Sequence, residues 1–269
     1  MRYTAAMNRT GLLIALVVGA ATGLVFGVYP QLDLELSRPF FALDGSGFWA
    51  RGHPDWLWAR WLGIWIPTVL AIAVGVVLVF KLLLPRRRML IPGRAVLLML
   101  ATLALAPGLV TNVILKDNWG RPRPIDVTEF KGEEHFIPWW DPRGDCPKNC
   151  SFVAGEPSGA IWMMSAAAVL PPLWRPAAYG LVLAFAAVIG VVRLAGGGHF
   201  ASDILFSAVF TYLIIWLTHG LLYRWPATRI TDAQVEGALE RMTLPLYAAL
   251  ERAMVRIGAA RKGGTGERS

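Results

Sequence analysis

The stretch from Val192 to Asp203 reads VRLAGGGHFASD and lies between two long apolar runs. Arg193 ends the first run, the three glycines at 196–198 predict a tight turn, and His199 opens the next run. Asp203 follows four residues later, a spacing that places two side chains on one face of a helix. A carboxylate beside an imidazole fixes its tautomer and stabilises its charged form, and an arginine fork matches phosphate oxygens. The pattern therefore predicts that His199 is a nucleophile directed at phosphorus.

The composition indicates a membrane protein. The chain has 269 residues, 55% of them hydrophobic and 16% charged, with a mean hydropathy of +0.49. Soluble domains carry about a quarter charged residues. A net charge of +8 is compatible with a nucleic-acid partner, but most basic residues flank apolar runs or lie in the C-terminal tail, as membrane orientation signals do. We therefore predict a polytopic membrane protein without a nucleic-acid partner.

Six apolar runs predict the fold. Residues 1–223 are expected to form an all-α bundle of six transmembrane helices, and residues 224–269 a basic amphipathic tail with Thr231 as the N-cap of a helix. A cleaved signal peptide is the alternative interpretation of the first run. The predicted spans are Gly11–Val28, Trp61–Leu84, Ala95–Leu115, Ser158–Leu173, Ala177–Val192 and Ile204–Tyr223.

The basic residues also predict the orientation of the bundle. Six spans put both termini on one side, and the short segments richest in arginine fall on that same side: Arg2, Arg9, Arg86–Arg94, Arg175, Arg224 and Arg229. The positive-inside rule makes this side cytoplasmic. The long loop 117–157 and the glycine turn are then outward, which in a bacterial inner membrane is the periplasmic side.

Four cations are expected on the outward side, where the orientation rule leaves few: Lys116, Arg121, Arg123 and Arg193. Each could be an anchor that reaches from the end of a span to the membrane surface. Because they also converge on the level of His199, the group is typical of an anion-binding site.

Two motifs resemble those of the type 2 phosphatidic acid phosphatase family. KDNWGRPRP at 116–124 matches K-x6-R-P, and Arg193-x5-His199-x3-Asp203 matches the third family motif, although Val192 replaces the usual serine. The resemblance covers about Leu97–Tyr223 and implies a metal-free and cofactor-free phosphatase with a phosphohistidine intermediate. It also implies residue roles: His199 attacks phosphorus, Asp203 orients it, and the four cations bind phosphoryl oxygens.

The second family motif, P-S-G-H, is altered in this chain. Residues 151–160 read SFVAGEPSGA, which permits two alignments. In one, Ala160 replaces the family's histidine, by natural loss or by mutation. In the other, which we favour, Glu156 occupies that position and protonates the leaving oxygen, provided that burial or a phosphate raises its pKa. In either register Ser158 is expected to donate its hydroxyl to phosphate.

Cys146 and Cys150 lie in the outward loop. An oxidising compartment favours a disulfide between them over a zinc pair. The acidic residues and His135 in the same loop match no metal-ligand spacing, so a solvated loop is expected there and no metal site.

The sequence thus predicts a lipid phosphatase acting at the outer leaflet, because its site lies at the membrane surface. The expected partners are a lipid phosphate and the bilayer, and the candidate substrates are undecaprenyl pyrophosphate, lipid A 1-phosphate, phosphatidylglycerophosphate and phosphatidic acid. A binding or transport protein that has lost turnover, or a phosphotransferase, is the alternative. A channel is disfavoured, because polar residues would then line the spans.

Overall fold

The computed structural model describes residues 8–263. Arg2, the start of the predicted membrane domain (1–7) and the end of the predicted tail (264–269) therefore lie outside the described residues. Within that range the chain is helical, with two isolated β-bridges and no strand. The helices are α1 (Arg9–Val28), α2 (Leu32–Ser37), α3 (Pro54–Leu83), α4 (Gly93–Leu103), α5 (Gly155–Trp162), α6 (Met164–Val169), α7 (Arg175–Ala195), α8 (Ala201–His219) and α9 (Asp232–Gly263). The π-helical segments Ala104–Lys116 and Gly220–Arg224 extend α4 and α8.

Five helices of the described chain are long and apolar enough to cross a membrane: α1, α3, α7, and α4 and α8 with their extensions. Their apolar windows have mean hydropathies from 1.8 to 2.5. In α1 and α3 only 17% of the window is buried inside the protein, so most of those apolar side chains face outward, as they do towards lipid. The all-helical, membrane-spanning class is confirmed.

The predicted fourth span, Ser158–Leu173, differs from a single long helix. It consists of the short helices α5 and α6, which meet at Met163 and end at Val169. Leu170 adopts an extended backbone because it precedes Pro171. This pair is central: its apolar side chains pack with those of α7 and α8 in one buried cluster, formed by Ala160, Ile161, Met164, Ala168, Val182, Ala186 and Ile215.

A second apolar cluster covers the end of the bundle at which α8 begins. The cluster brings together four parts of the chain: α2, the loop before α3, the long loop 117–157, and the residue that precedes α8. Its buried members are Leu34, Phe48, Val127, Phe130 and Phe200. The short helix α2 is thereby held against the start of α8. Asp33 on α2 is fully buried as a result.

The first turns of the tail helix α9 are docked against the opposite end of the bundle. The ammonium group of Lys81, 1% exposed, lies 2.6 Å from a carboxylate oxygen of Glu240 and 2.8 Å from the carbonyl of Pro85. Arg94 pairs with Asp232 at 3.0 Å. The tail therefore begins as an acidic helical segment that neutralises cations at the ends of α3 and α4.

Candidate active site

Four chain segments deliver polar side chains to one place at the outer end of the bundle. Lys116 ends the extension of α4, Glu156 lies in the first turn of α5, Arg193 lies in the last turn of α7, and His199 precedes α8. A carboxylate oxygen of Glu156 lies 3.4 Å from Nε of Arg193. Lys116 approaches Gly155 closely, and a Cβ at that position would lie 3.0 Å from Nζ.

His199 is held as a neutral imidazole with one free nitrogen. Its Nδ1 lies 2.7 Å from the carbonyl oxygen of Ser151, which can only accept, so Nδ1 carries the proton. Burial, followed by nearby Arg193, Lys116 and Arg123, lowers the pKa of His199 well below its ordinary value. Nε2 is buried and has no hydrogen-bond partner among the described residues. Its lone pair is therefore not used by any hydrogen bond of the described residues.

Asp203 is linked to His199 through Ser151. In the described structure its carboxylate accepts from the hydroxyl of Ser151 and from the backbone N–H of Phe200, the latter at 2.9 Å. The expectation of a direct contact from helical spacing fails because α8 begins only at Ala201, with Phe200 as its N-cap. His199 thus lies outside the helix, and the carboxylate of Asp203 turns back to the N-cap residue Phe200 at the start of α8. Asp203 fixes the segment whose carbonyl orients the imidazole.

The structure places Arg121, a predicted phosphate ligand, in a buried cluster of ions. Its guanidinium is fully buried and donates to both Asp33 and Asp203, to the hydroxyl of Ser202 at 2.8 Å, and to the carbonyl of Ile137 at 2.8 Å. The ring of Phe200 lies 4.5 Å from its Cζ. Each of its three nitrogens thus donates to a protein group. Arg121 is a structural cation beneath the site.

The structure places Ser158, also predicted to bind phosphate, among buried hydroxyl groups. Its hydroxyl is fully buried, 2.8 Å from that of Thr211 and 3.2 Å from that of Thr111. Ser158 lies one turn inside α5, on the side that faces α4 and α8, and its hydrogen bonds tie three helices together. The start of α5, rather than this hydroxyl, borders the site.

Glu156 reaches the site, whereas Ala160 lies in the apolar cluster between α5 and α7. Two cations hold Glu156, since Arg60 on α3 also lies 3.4 Å from the same carboxylate oxygen. Burial acts to raise the pKa of this carboxyl, but Arg193, its own backbone N–H, Lys116 and Arg60 together lower it below its ordinary value. The raised pKa expected of a general acid is therefore absent in this state, because the surrounding cations stabilise the charged carboxylate of Glu156.

Arg123 is positioned by the disulfide loop. Its Nη2 donates to the carbonyl of Asn149 at 2.7 Å, and the N–H of Cys150 donates to the carbonyl of Lys116 at 2.9 Å. Cys146 and Cys150 form a disulfide with a Cα–Cα distance of 5.8 Å. The loop therefore fixes two of the predicted phosphate ligands at once. In the described chain no three His, Cys, Asp or Glu side chains are grouped as metal ligands.

Two cavities meet at these residues. The inner groove, about 720 Å³, extends from Lys116 and Glu156 along α3 and α4, past Ile64, Pro67, Leu103 and Pro107. The outer cavity, about 440 Å³, opens among the loops and includes Arg51, Val192 and Lys148. Arg60, Arg123, Asn149 and Arg193 line both. The junction is thus a cationic neck between an apolar groove and a polar pocket.

Sequence reasoning overlooked four contributors: Arg60, Asp33, Ser151 and Asn149. Arg60 stands at the edge of an apolar run, where cations are ordinarily anchors. The second motif predicts no role for Ser151 itself, although its hydroxyl and carbonyl connect Asp203 to His199. Asp33 and Asn149 lie in segments without a motif. Only their contacts identify them.

Comparisons with known proteins agree with the motifs. Residues 94–228 match the model of the PAP2 superfamily. Similar curated proteins are the lipid A 4'-phosphatase of Francisella tularensis subsp. novicida, 32% identical over 81% of this chain and 98% of that protein, and that of Rhizobium etli, 33% identical over 67% and 75%. The lipid A 4'-phosphatase of Rhizobium leguminosarum is 39% identical over 39% of this chain and 46% of that protein. No solved structure gives a significant match. The resemblance carried by the two motifs is thereby confirmed, and the chain belongs to the PAP2 superfamily of type 2 phosphatidic acid phosphatases.

Proposed function

We propose that this protein is a metal-independent membrane phosphatase that removes a phosphate group from lipid A through a phosphohistidine intermediate. One observation carries the proposal: the unpartnered Nε2 of His199, a neutral imidazole, lies in the electrostatic field of Lys116, Arg123 and Arg193. The names of the three relatives favour the 4'-phosphate of lipid A over the other lipid phosphates that the sequence left open.

The path of the chain supports six membrane crossings. Lys116 and Arg193 both lie at the site, at the last turns of α4 and α7, and α7 therefore starts at the opposite end of the bundle. The chain between 116 and 175 must pass from one end to the other, and α5 with α6 is the segment that does so. With the basic connections on the cytoplasmic side, the site faces the periplasm of a bacterial inner membrane.

In the proposed reaction the acyl chains of the lipid occupy the inner groove, and its phosphate enters the neck. There the phosphate competes with Glu156 for Arg193 and Arg60. Loss of these ion pairs, together with the added negative charge, raises the pKa of Glu156 so that it takes up a proton. The carboxylate thus becomes an acid only when substrate is bound.

His199 Nε2 then attacks phosphorus in line with the ester oxygen. The bond from phosphorus to that oxygen breaks, Glu156 gives the oxygen its proton, and the phosphoryl group stays on Nε2. Lys116, Arg123 and Arg193 stabilise the charge on the three remaining oxygens. The carbonyl of Ser151, held by Asp203, orients the imidazole and supports its positive charge.

In the second half of the reaction a water molecule attacks the phosphohistidine. Glu156, now a carboxylate, accepts a proton from that water, the bond between phosphorus and Nε2 breaks, and inorganic phosphate leaves. His199 returns to its neutral form. No step uses Arg121 or Ser158, whose polar groups are satisfied within the protein.

The test is phosphate release from purified protein in detergent, with chelator present, on lipid A and on the other candidate lipids. We expect turnover on lipid A, its loss to background in His199→Ala, and a fall of about 10²- to 10³-fold in Glu156→Gln. The exposed loop histidine provides the matched control, since His135→Ala should retain full activity. Labelled phosphate should be trapped on the parent protein and not on His199→Ala.

Four outcomes would contradict the proposal. Full activity in His199→Ala would exclude the phosphohistidine. Activity abolished by chelator and restored by a metal would exclude metal independence. Lipid binding without turnover in any variant, including Ala160→His, would instead favour the binding-protein alternative, and turnover that appears only in Ala160→His would mean that this chain has lost its acid.

A further inference from the structure

The outer cavity carries more positive charge than one phosphate requires. Besides Arg123 and Arg193 at the neck, it is lined by Arg51, Arg60 and Lys148. The carboxylates on its wall are Asp126 and Glu134. Five cations therefore face two carboxylates in a space of about 440 Å³.

The outermost cations are not neutralised by the protein. Among the described residues no carboxylate forms an ion pair with Arg51 or with Lys148, and both side chains are exposed to the cavity and solvent. Arg51 is held in place by a turn in which its N–H donates to the carbonyl of Phe48 at 3.0 Å, and Lys148 lies within the disulfide loop. Both cations therefore project from constrained backbone and have no internal counter-ion.

One acceptor in the same cavity is also left open. Oε2 of Glu134 is buried and has no hydrogen-bond partner among the described residues. A buried acceptor of this kind is costly unless a donor reaches it. A hydroxyl or amide N–H of a sugar ring is a suitable donor, whereas a second phosphate suits the cations. The cavity thus combines the two kinds of group that a phosphorylated sugar needs.

The position of the outer cavity relates it to the same substrate. The apolar inner groove leaves the neck in one direction and the outer cavity leaves it in the other, with Arg60, Arg123, Asn149 and Arg193 shared. A lipid whose chains lie in the groove and whose reacting phosphate lies at the neck must place the rest of its headgroup in the outer cavity. The primed locant in the names of the relatives denotes a second sugar ring, so such a headgroup extends beyond the reacting phosphate.

We propose that the outer cavity is a second anion subsite, in which Arg51 and Lys148, assisted by Arg60, bind a second phosphate on the neighbouring sugar of the same lipid. This inference rests on the proposed function. It makes the enzyme prefer the doubly phosphorylated lipid, so this reaction is faster before the other phosphate is removed than after.

The experiment compares two substrates that differ in a single group: an acylated disaccharide with a phosphate on each ring, and the same lipid without the phosphate that is not hydrolysed. We expect the parent protein to show about a tenfold higher kcat/KM on the first, since a partly exposed charged hydrogen bond contributes about that factor. In the double variant Arg51→Gln/Lys148→Gln this preference should fall to about one, through a higher KM on the first substrate alone. Arg143→Gln, an exposed cation of the same loop outside both cavities, is the matched control and should keep the preference.

The outcomes are separable. No turnover of either lipid by the parent would refute the proposed function. Equal turnover of both lipids by the parent would refute the subsite alone. An equal loss on both lipids in the double variant would show that these cations serve the reacting phosphate or the fold, and would also overturn the subsite.

Discussion

Arg121→Met removes the cation from a cluster in which two fully buried carboxylates, Asp33 and Asp203, face it. The methionine keeps much of the side-chain volume and its contact with Phe200, so the main change is the loss of charge and hydrogen bonds. Four donated bonds disappear, two of them to carboxylates. The two carboxylates then stay buried without a counter-charge and keep only hydrogen bonds from neutral groups.

The cost follows from that geometry. Removal of one partner of a buried ion pair destabilises a protein by about 3–5 kcal/mol, because the remaining charge is unpaired. Since native proteins are stable by about 5–15 kcal/mol, we expect a fall in the midpoint of thermal unfolding on the order of 10 °C. The twelve tryptophans provide a fluorescence signal for this measurement in detergent.

Arg123→Met is the matched control, two residues along the same motif. Arg123 is only partly buried and makes one hydrogen bond, to the carbonyl of Asn149, so its loss should change the free energy of unfolding by about 1 kcal/mol or less while activity falls steeply. The triple variant Asp33→Asn/Arg121→Met/Asp203→Asn should regain much of the lost stability, as neutral replacement of buried ion clusters does. It should not regain activity, because Ser151 loses its charged acceptor.

The reasoning would be refuted by Arg121→Met with unchanged thermal stability and abolished activity. That result would return Arg121 to the phosphate site and would mean that the buried cluster rearranges at little cost. Equal destabilisation in Arg121→Met and Arg123→Met would refute it as well.

Two further predictions concern the reaction. We expect kcat/KM to fall as the pH rises above about 6, where phosphate monoesters lose their second proton, because Glu156 has a lowered pKa in the free site and must gain a proton with the substrate. The lowered pKa of His199 keeps its imidazole neutral across pH 6–8, so its titration does not change the rate in that range. A rate that rises with pH from 6 to 8 would contradict both assignments. We expect Cys146→Ser/Cys150→Ser to raise KM by about tenfold with a smaller effect on kcat, since the loop aligns Arg123 and the chain at Lys116. Reductant should raise the KM of the parent protein in the same way and have no effect on the variant. A parent protein that is insensitive to reductant would argue against this role of the disulfide.

Much of the architecture could be predicted because membrane helices are written into apolar runs of suitable length. The helices α1, α3, α7 and α8 coincide with predicted spans, although α3 begins seven residues earlier than predicted, at Pro54 rather than Trp61. The fourth predicted span consists of two short helices, a division that hydropathy alone does not distinguish from one long helix. The break at Met163 and the end before Pro171 depend on backbone conformation and on packing against α7 and α8.

The motifs could predict which segments meet at the site, but not which cations face the substrate. Arg121 and Arg123 flank Pro122 in one motif, and nothing local separates them. The difference is made by Asp33, 88 residues away in sequence from Arg121, which claims that guanidinium through tertiary packing. The spacing from His199 to Asp203 suggested helical geometry, yet the helix starts between them.

The two carboxylate–arginine groups at this end of the bundle explain how the site stays open to anions. Beneath the imidazole, the single cation Arg121 lies between the carboxylates of Asp33 and Asp203, and all three are buried. At the neck, Arg193 and Arg60 share the single carboxylate of Glu156 at 3.4 Å, while Lys116 and Arg123 have no ion pair within the described structure. The members of the buried group are paired with one another inside the protein, whereas the neck keeps an excess of positive charge around one carboxylate, that of Glu156. In the proposed mechanism, a phosphate that enters replaces Glu156 without disturbing the charges that support His199, and the displaced carboxylate is left where a leaving oxygen needs a proton.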